Sequence, residues 1–449
     1  MSTRTALTLQ TGLGTLQDKV TDVLKLAKQL GATQAEAHAN FGTGFSVNVR
    51  MREVETLRHQ RDQGLSVTVW LGHRKGSAST SDLRPEALEE SVSKACALAR
   101  YGAEDPASGL ADADRLAKSI PDLGLYHPWA IEPAAAIDLA TACEAAALDL
   151  DPRVTNSEGA SVSTSEGLRV YGNSHGFLGG YLESDHSISC SVVASQDGAM
   201  ETDYEYAVAR DAADLPSPAE VGAEAGRRTV ARLGGTKLET CTAPVLYPAR
   251  VARGLIGHLL GAISGGALYR KSSFLVDALG KPVFASRVTI DEKPHLLKAL
   301  NSAPFDNEGV STTDRRLVDA GVLGGYLLGS YYARKLGMQS TGNAGGAHNL
   351  VVHSTGESFE ELVRKMDKGL IVADLMGSGV NPVTGDYSRG ASGFWVENGR
   401  IQYPVTEITI AGNLKDMFRG ILGIGTDIDR RGGVLTGSIL VEEMTVAGS

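Results

Sequence analysis

Apolar residues recur at helical spacing in LQDKVTDVLKLAKQLGA (residues 16 to 32), where Val20, Val23, Leu24 and Leu30 fall on one side and Gly31 supplies a stop. A helix opens the chain. The pattern then changes period: FSVNVRMREVETLR (45 to 58) and LSVTVWLG (65 to 72) alternate apolar and polar residues, as half-buried strands do, and GHRKGSASTSDL adds a turn and a further extended piece. Pro85 begins a helix that runs to Gly102. After a connecting stretch rich in Ala, Asp, Gly and Pro (103 to 130), the order recurs: a helix at 133 to 150, short alternating strands through 154 to 194, and a closing helix at 216 to 233. The order repeats without repetition of the sequence itself. From Ala243 onward, glycine-punctuated short segments predict mostly antiparallel strands and loops, with helices near 249 to 268 and 358 to 368.

These elements are segregated rather than alternating as βαβ units, which predicts an α+β class. Three regions follow: an N-terminal α+β domain over 1–110, a second α+β region over 125–237, and a C-terminal domain over 240–449, mainly antiparallel β with a glycine-rich helix. The length of 449 residues suits two or three domains. Glycine, 53 residues against a background of about 7%, implies frequent turns and close backbone contacts.

Charge and cysteine usage narrow the function classes. A net charge of -10 without a dense Lys/Arg run argues against general affinity for nucleic acid or an anionic membrane. Cys96, Cys143, Cys190 and Cys241 are far apart and form no C-x-x-C pair, so neither a disulfide framework nor a thiolate zinc knuckle is expected. MSTRTALTLQTGLGTLQDKV lacks the apolar core of a secretory signal, and Arg253, His258 and many glycines make 251 to 269 a poor membrane span. The expectation is a soluble cytoplasmic protein.

Candidate chemistry centres on 254 to 274. Leu255, Leu259, Leu260 and Ile263 form an apolar stripe, and Gly254, Gly257, Gly261 and Gly265 form a bare strip beside it, the pattern of a helix packed closely on another backbone. His258 lies between them with no carboxylate or second histidine near it, and is read as a structural histidine whose ring is satisfied by backbone or water. His348 and His353 read as loop and strand positions rather than zinc ligands. Ser264, Ser272 and Ser273 lack a G-x-S-x-G elbow. Arg270 and Lys271 suit the negative end of the helix, with a substrate or partner contact as the alternative. STGNAGGAHN (340 to 349) is either a turn between strands or backbone that approaches a peptide closely. Its candidate binding residues are Asn343, Gly345, Gly346 and His348. Asn398 and Gly399 signal a hairpin, which makes Trp395 and Tyr403 cross-strand neighbours.

GHLLGAISGGALYRKSSF (257 to 274), STGNAGGAHN (340 to 349) and TGDYSRGASGFWVENGRIQYPVTEITIAGNLKDM (384 to 417) together resemble the TldD/PmbA family, and closely its PmbA (TldE) branch. The resemblance implies a role in a cytosolic metallopeptidase complex that trims or degrades peptides, including leader segments of modified peptide antibiotics. In the TldD branch a helix carries His-Glu-x-x-x-His, and a cysteine near the C-terminus completes the zinc site. With His258 aligned to the first ligand, the other two positions are Leu259 and Ile263, and no cysteine follows Cys241. A zinc hydrolase needs about three protein ligands and a carboxylate to take the water's proton. The expectation is therefore a chain with no catalytic residue, metal or cofactor of its own, zinc residing in a TldD-type partner, and an extended peptide as substrate. In isolation the chain could form a homodimer. The alternatives are a self-sufficient homo-oligomeric peptidase and a peptide-binding escort module.

Overall fold

The computed structural model of the protein describes residues 9 to 448. The first eight residues, on which part of the reading of the chain's start rests, lie outside the described residues.

The chain opens with helix α1 (Leu9–Gln29), followed by strands β1 (Gln34–Arg50), β2 (Glu53–Leu71) and β3 (Arg74–Thr80) and helix α2 (Pro85–Tyr101). Helix α3 (Pro133–Leu148), strands β4 (Val154–Asn173), β5 (Leu178–Gln196) and β6 (Ala199–Ala209) and helix α4 (Pro218–Ala231) repeat the order. The two groups of strands form one sheet, ordered β3-β2-β1-β4-β5-β6. The seam is the antiparallel pairing of β1 with β4, from Glu36 opposite Asn173 to Val49 opposite Ala160.

All four helices cover one face of this sheet. Ala37, Ala39, Val67 and Val170 pack under α1 and α2, and Val47, Val49 and Val162 pack under α3 and α4. Residues of opposite parity, among them Glu36, His38, Asn40 and Arg169, lie on the other face. That face is bare of helices and partly turned to the C-terminal region.

The hydrophobic alternation over 45 to 58 crosses a turn instead of forming one strand. Met51 and Arg52 both adopt positive φ, 51° and 67°, and connect β1 to β2 without the glycine or asparagine such a turn ordinarily uses. Glu144 of α3 is buried and holds the turn by accepting from the amides of Met51 and Arg52, at 2.8 and 2.6 Å. Leu30, expected on the apolar side of α1, is 38% exposed, because α1 ends at Gln29 and the chain turns at Gly31 with φ 92°.

The C-terminal region runs β7 (Cys241–Tyr247), α5 (Ala249–Ala262), α6 (Gly265–Tyr269), β8 (Ile290–Glu292), β9 (Arg315–Asp319), β10 (Val322–Leu323), α7 (Ser330–Lys335) and β11 (Leu350–Val352). It continues through α8 (Phe359–Met366), β12 (Gly369–Met376), β13 (Asp386–Glu397), β14 (Arg400–Asn413), α9 (Leu414–Arg419), β15 (Ile421–Ile424), β16 (Val434–Leu435) and β17 (Ile439–Ala447). The larger sheet, β14-β13-β12-β7-β17-β15, curls until β14 also pairs with β17, which makes it barrel-like. One face packs the main core through Val245, Tyr247, Leu370 and Trp395; the other packs α8 through Leu246, Ile371 and Val396. The smaller sheet is ordered β10-β9-β8-β11-β16. Its β11 is flanked on both sides, so it offers no free edge.

The helix expected over 249 to 268 is two helices. Ile263 ends α5, and Ser264 caps α6 by accepting from the amide of Ala267 at 3.4 Å. Asn398 and Gly399, with φ of 52° and 65°, make the expected hairpin turn, and Trp395 stands opposite Tyr403. The class is α+β, with mainly antiparallel sheets. Among the described residues no helix is long and apolar enough to cross a membrane.

Candidate functional site

Helix α5 sits against the main core with Leu255, Ile256, Leu259 and Ile263 fully or almost fully buried. Leu259 and Ile263, the positions aligned with a glutamate and a second histidine, are therefore packing residues. His258 is half-buried at the margin of that packed face. Its ring meets the Tyr387 ring edge-on, with centroids 5.8 Å apart, and its nitrogens make no hydrogen bond among the described residues. The expected backbone partner is absent because β13 presents a ring and a guanidinium here. Burial, and then the positive charge of Arg389, lower the His258 pKa below its ordinary 6.5.

The glycine strip also departs from expectation. A Cβ at Gly254, Gly257 or Gly261 would meet nothing within 4 Å. These glycines face open space, not another backbone. Gly265, in α6, is the exception: a Cβ there would stand 2.7 Å from Cβ of Tyr332. Beyond α5, Ser264, Ser272 and Ser273 donate to the carbonyls of Gly261, Ala267 and Ala262, so their hydroxyls are committed to the local backbone. Arg270 caps the C-terminus of α6 and approaches the Tyr332 hydroxyl at 3.4 Å.

The glycine-rich segment 340 to 349 is a folded loop between α7 and β11, not a strand. Its organiser is Glu292 at the end of β8, which is 1% exposed. One oxygen accepts from Asn343 Nδ2 at 2.7 Å and from the His348 amide at 2.8 Å; the other accepts from Arg315 Nε at 2.6 Å. Arg315 also donates to Asn343 Oδ1 at 2.7 Å, and His348 Nε2 lies 2.9 Å from the Gly342 carbonyl. Asn343 and His348 are thus brought together by the loop's own framework and are buried. Gly345 and Gly346 are its exposed tip, with φ of 101° and 119°. The amides of Gly345 and Ala347 make no hydrogen bond among the described residues, so the tip presents free N–H groups. His353 lies elsewhere, on Asp291 at 2.8 Å, and shares no ligand position with His348.

Asp306 and Asn307 tie this loop to the bare face of the N-terminal sheet. Asp306 accepts from the Ala344 amide at 2.9 Å, and the Asn307 amide donates to the Ala344 carbonyl at 3.0 Å. Burial pushes the Asp306 carboxyl up to about 7, against the pull of the amides that donate to it. On their other side both residues line a cleft of about 460 Å³ with His38, Asn40, Arg169 and Tyr181 of the N-terminal sheet. Three regions of the chain thus meet at one opening. Glu292, Arg315, Asp306 and Arg389 are the residues the sequence reading missed. For Arg389 a signal existed, since it shares the parity of Tyr387 and Ala391, both of which point to the core.

Among the described residues no group of three or more His, Cys, Asp or Glu could hold a metal ion. The donor set at α5, one imidazole beside a guanidinium, does not fit zinc.

Comparison with known proteins places these features in a family. The family models described as PmbA/TldA metallopeptidase domain 1, central domain and C-terminal domain match residues 35–99, 126–233 and 240–448. Metalloprotease PmbA of Escherichia coli O157:H7 is 50% identical over 433 residues, 96% of each chain. A crystal structure from Bacteroides thetaiotaomicron, described as a candidate modulator of DNA gyrase, superposes with a TM-score of 0.92 at 28% identity, covering 96% of this chain and 99% of that one. The structure of TldE from Thermococcus kodakarensis shares the fold, with a TM-score of 0.81 at 19% identity over 96% of this chain and all of its own. With its three regions matched in order and half of its residues shared with a metalloprotease along nearly the whole length, this chain belongs to the PmbA/TldA metallopeptidase family.

Proposed function

We propose that this chain is the substrate-holding subunit of a cytoplasmic peptidase complex, and that a TldD-type partner supplies the zinc and the general base. The observation that carries the reading is α5. Its His258 stands alone, while the two positions that would complete a zinc motif are Leu259 and Ile263, buried in the core. Relatives named metalloprotease support a role in peptide hydrolysis. Four free cysteines support a reducing compartment.

The contribution of this chain is to bind and orient an extended peptide, such as the leader segment of a modified peptide antibiotic. Free amides at Gly345 and Ala347 and the polar cleft beside Asn307 supply main-chain partners that do not depend on the peptide's side chains. Binding runs through these exposed groups and not by strand addition, since β11 has no open edge. Asn343 and His348 act by shaping the loop.

The test is reconstitution. The purified chain is expected to hold no stoichiometric zinc and to leave peptides intact, and to support cleavage when combined with a TldD-type protein. About one zinc per chain that survives dialysis and is lost in His258→Ala, or chelator-sensitive cleavage by the chain alone, overturns the reading.

A further inference from the structure

Arg389 faces the wrong way for an ordinary surface arginine. Strand β13 turns Tyr387, Ala391 and Trp395 to the main core, and Arg389 falls among them at two-residue spacing. Arg389 is half-buried, and the buried part of a cation is best served by a carboxylate or a full set of carbonyl acceptors. It has neither. One terminal nitrogen, Nη2, donates to the Leu375 carbonyl at 3.2 Å. Its Nε is buried with no acceptor at all, and no carboxylate pairs with it among the described residues.

Among the described residues the surroundings supply donors and space but no carboxylate partner. Tyr387 is next to it on the strand, its hydroxyl facing Tyr247 and Arg389. His258 meets Tyr387 edge-on from α5, with both ring nitrogens free. Gly254, Gly257 and Gly261, which flank His258 along the helix, leave open space where side chains would otherwise stand. Burial first, and then the charge of Arg389, disfavours a cation on the imidazole, which leaves a hydrogen-bonding ring beside a fixed positive charge. Tyr387 shares a hydrogen bond with the guanidinium, but a planar guanidinium without a carboxylate partner remains the side chain best matched to a carboxylate, which it takes through parallel hydrogen bonds.

We propose that Arg389, with His258 beside it, is a receptor for a carboxylate of the bound peptide. This rests on the substrate-holding reading above. The carboxylate is either the peptide's C-terminus or an acidic side chain. The chain, labelled with ¹³C in its histidine rings, is titrated with N-acetylalanine, with N-acetylalanine amide, and with N-acetylglutamic acid α-amide, and the His258 signal is assigned by its loss in His258→Gln. The expected result is a saturable shift with one or both carboxylates and none with the amide, with Arg389→Gln weakening the response by at least about tenfold. N-acetylalanine alone would indicate the C-terminus; the glutamyl compound alone, a side chain. Arg389→Lys, which keeps the charge without the fork, is expected to retain weaker binding, and it serves if Arg389→Gln does not fold. No response to either carboxylate, an equal response to the amide, or a carboxylate response of undiminished affinity in Arg389→Gln or, where that variant does not fold, in Arg389→Lys, overturns the receptor. The link to substrate is read separately in the reconstituted complex, where neutralising the recognised carboxylate on a cleaved peptide should raise KM for the native chain and not for Arg389→Gln. An unchanged KM overturns the assignment to substrate. Cleavage by the chain alone would break the subunit reading while leaving the titration decisive for the receptor.

Discussion

Two segments of this chain carry clustered glycines, and the two use them for opposite reasons. In the loop at 340 to 349 glycine is a conformational requirement: Gly342, Gly345 and Gly346 all have positive φ, and a Cβ on Gly342 would stand 2.7 Å from the Ser311 carbonyl. On α5 the backbone is ordinary helix, and a Cβ on Gly254, Gly257 or Gly261 would touch nothing. Each segment holds three glycines. What differs is whether the chain itself excludes the missing side chain, as it does in the loop, or leaves room for one, as it does on α5.

That contrast can be broken most forcefully at the support of the loop. Glu292→Ala strips the buried partner from Arg315, Asn343 and the His348 amide, and unfolding free energy is expected to drop by about 3–5 kcal/mol, as it does when one member of a buried pair is removed. Denaturant melts check this; a loss under about 1 kcal/mol would mean that the loop does not depend on Glu292. Next in size is Gly342→Ala, expected to cost about 1–3 kcal/mol for a side chain held at positive φ, before any clash with Ser311. On α5 the sign reverses. Gly261→Ala should raise the stability of the isolated chain by about 0.5–1 kcal/mol, because alanine has less freedom to lose and meets no neighbour. A destabilised Gly261→Ala would restore the close-packed helix that the sequence pattern suggested.

The smallest effect is a titration. Because the His258 pKa is lowered on folding, the unfolded chain binds the proton more tightly, and stability falls as pH drops below the unfolded value near 6.5. The ring signal of His258 is expected to titrate below 6.5 and to move part of the way back in Arg389→Gln, since burial is the larger cause and remains. A midpoint at or above 6.5 in the native chain would remove the electrostatic pairing of these two residues.

How far the sequence could be read depended on whether the deciding force was local. Pro85 and Gly102 mark the two ends of α2, and Asn398–Gly399 names its own turn, because in each case the relevant constraint lies within the residues themselves. The Met51–Arg52 turn gives no such signal. It is held by Glu144, 93 residues from Met51, and nothing in a window around it could reveal that. The break after α5 was visible in principle, since Ser264 is a good cap, but a run of glycines at helical spacing masks it. For the same reason propensity could show that Gly261 is costly in a helix but not what stands opposite. At the candidate site the glycines and Asn343 stood out by composition, whereas Glu292 and Asp306 become meaningful only once β8 and the loop are brought together.

The seam between β1 and β4 has a consequence for how the chain is made. Asn48 and Ser161, hydrogen-bonded at 2.8 Å across it, lie 113 residues apart in sequence. During synthesis the first three strands and their helices can assemble early, but the inner edge of β1 stays unpaired until β4 has left the ribosome. An exposed edge invites pairing with another nascent chain, and closure over so long a separation is slow. Chaperone dependence and the yield of soluble protein should therefore respond most to changes along β4, the strand that closes that edge.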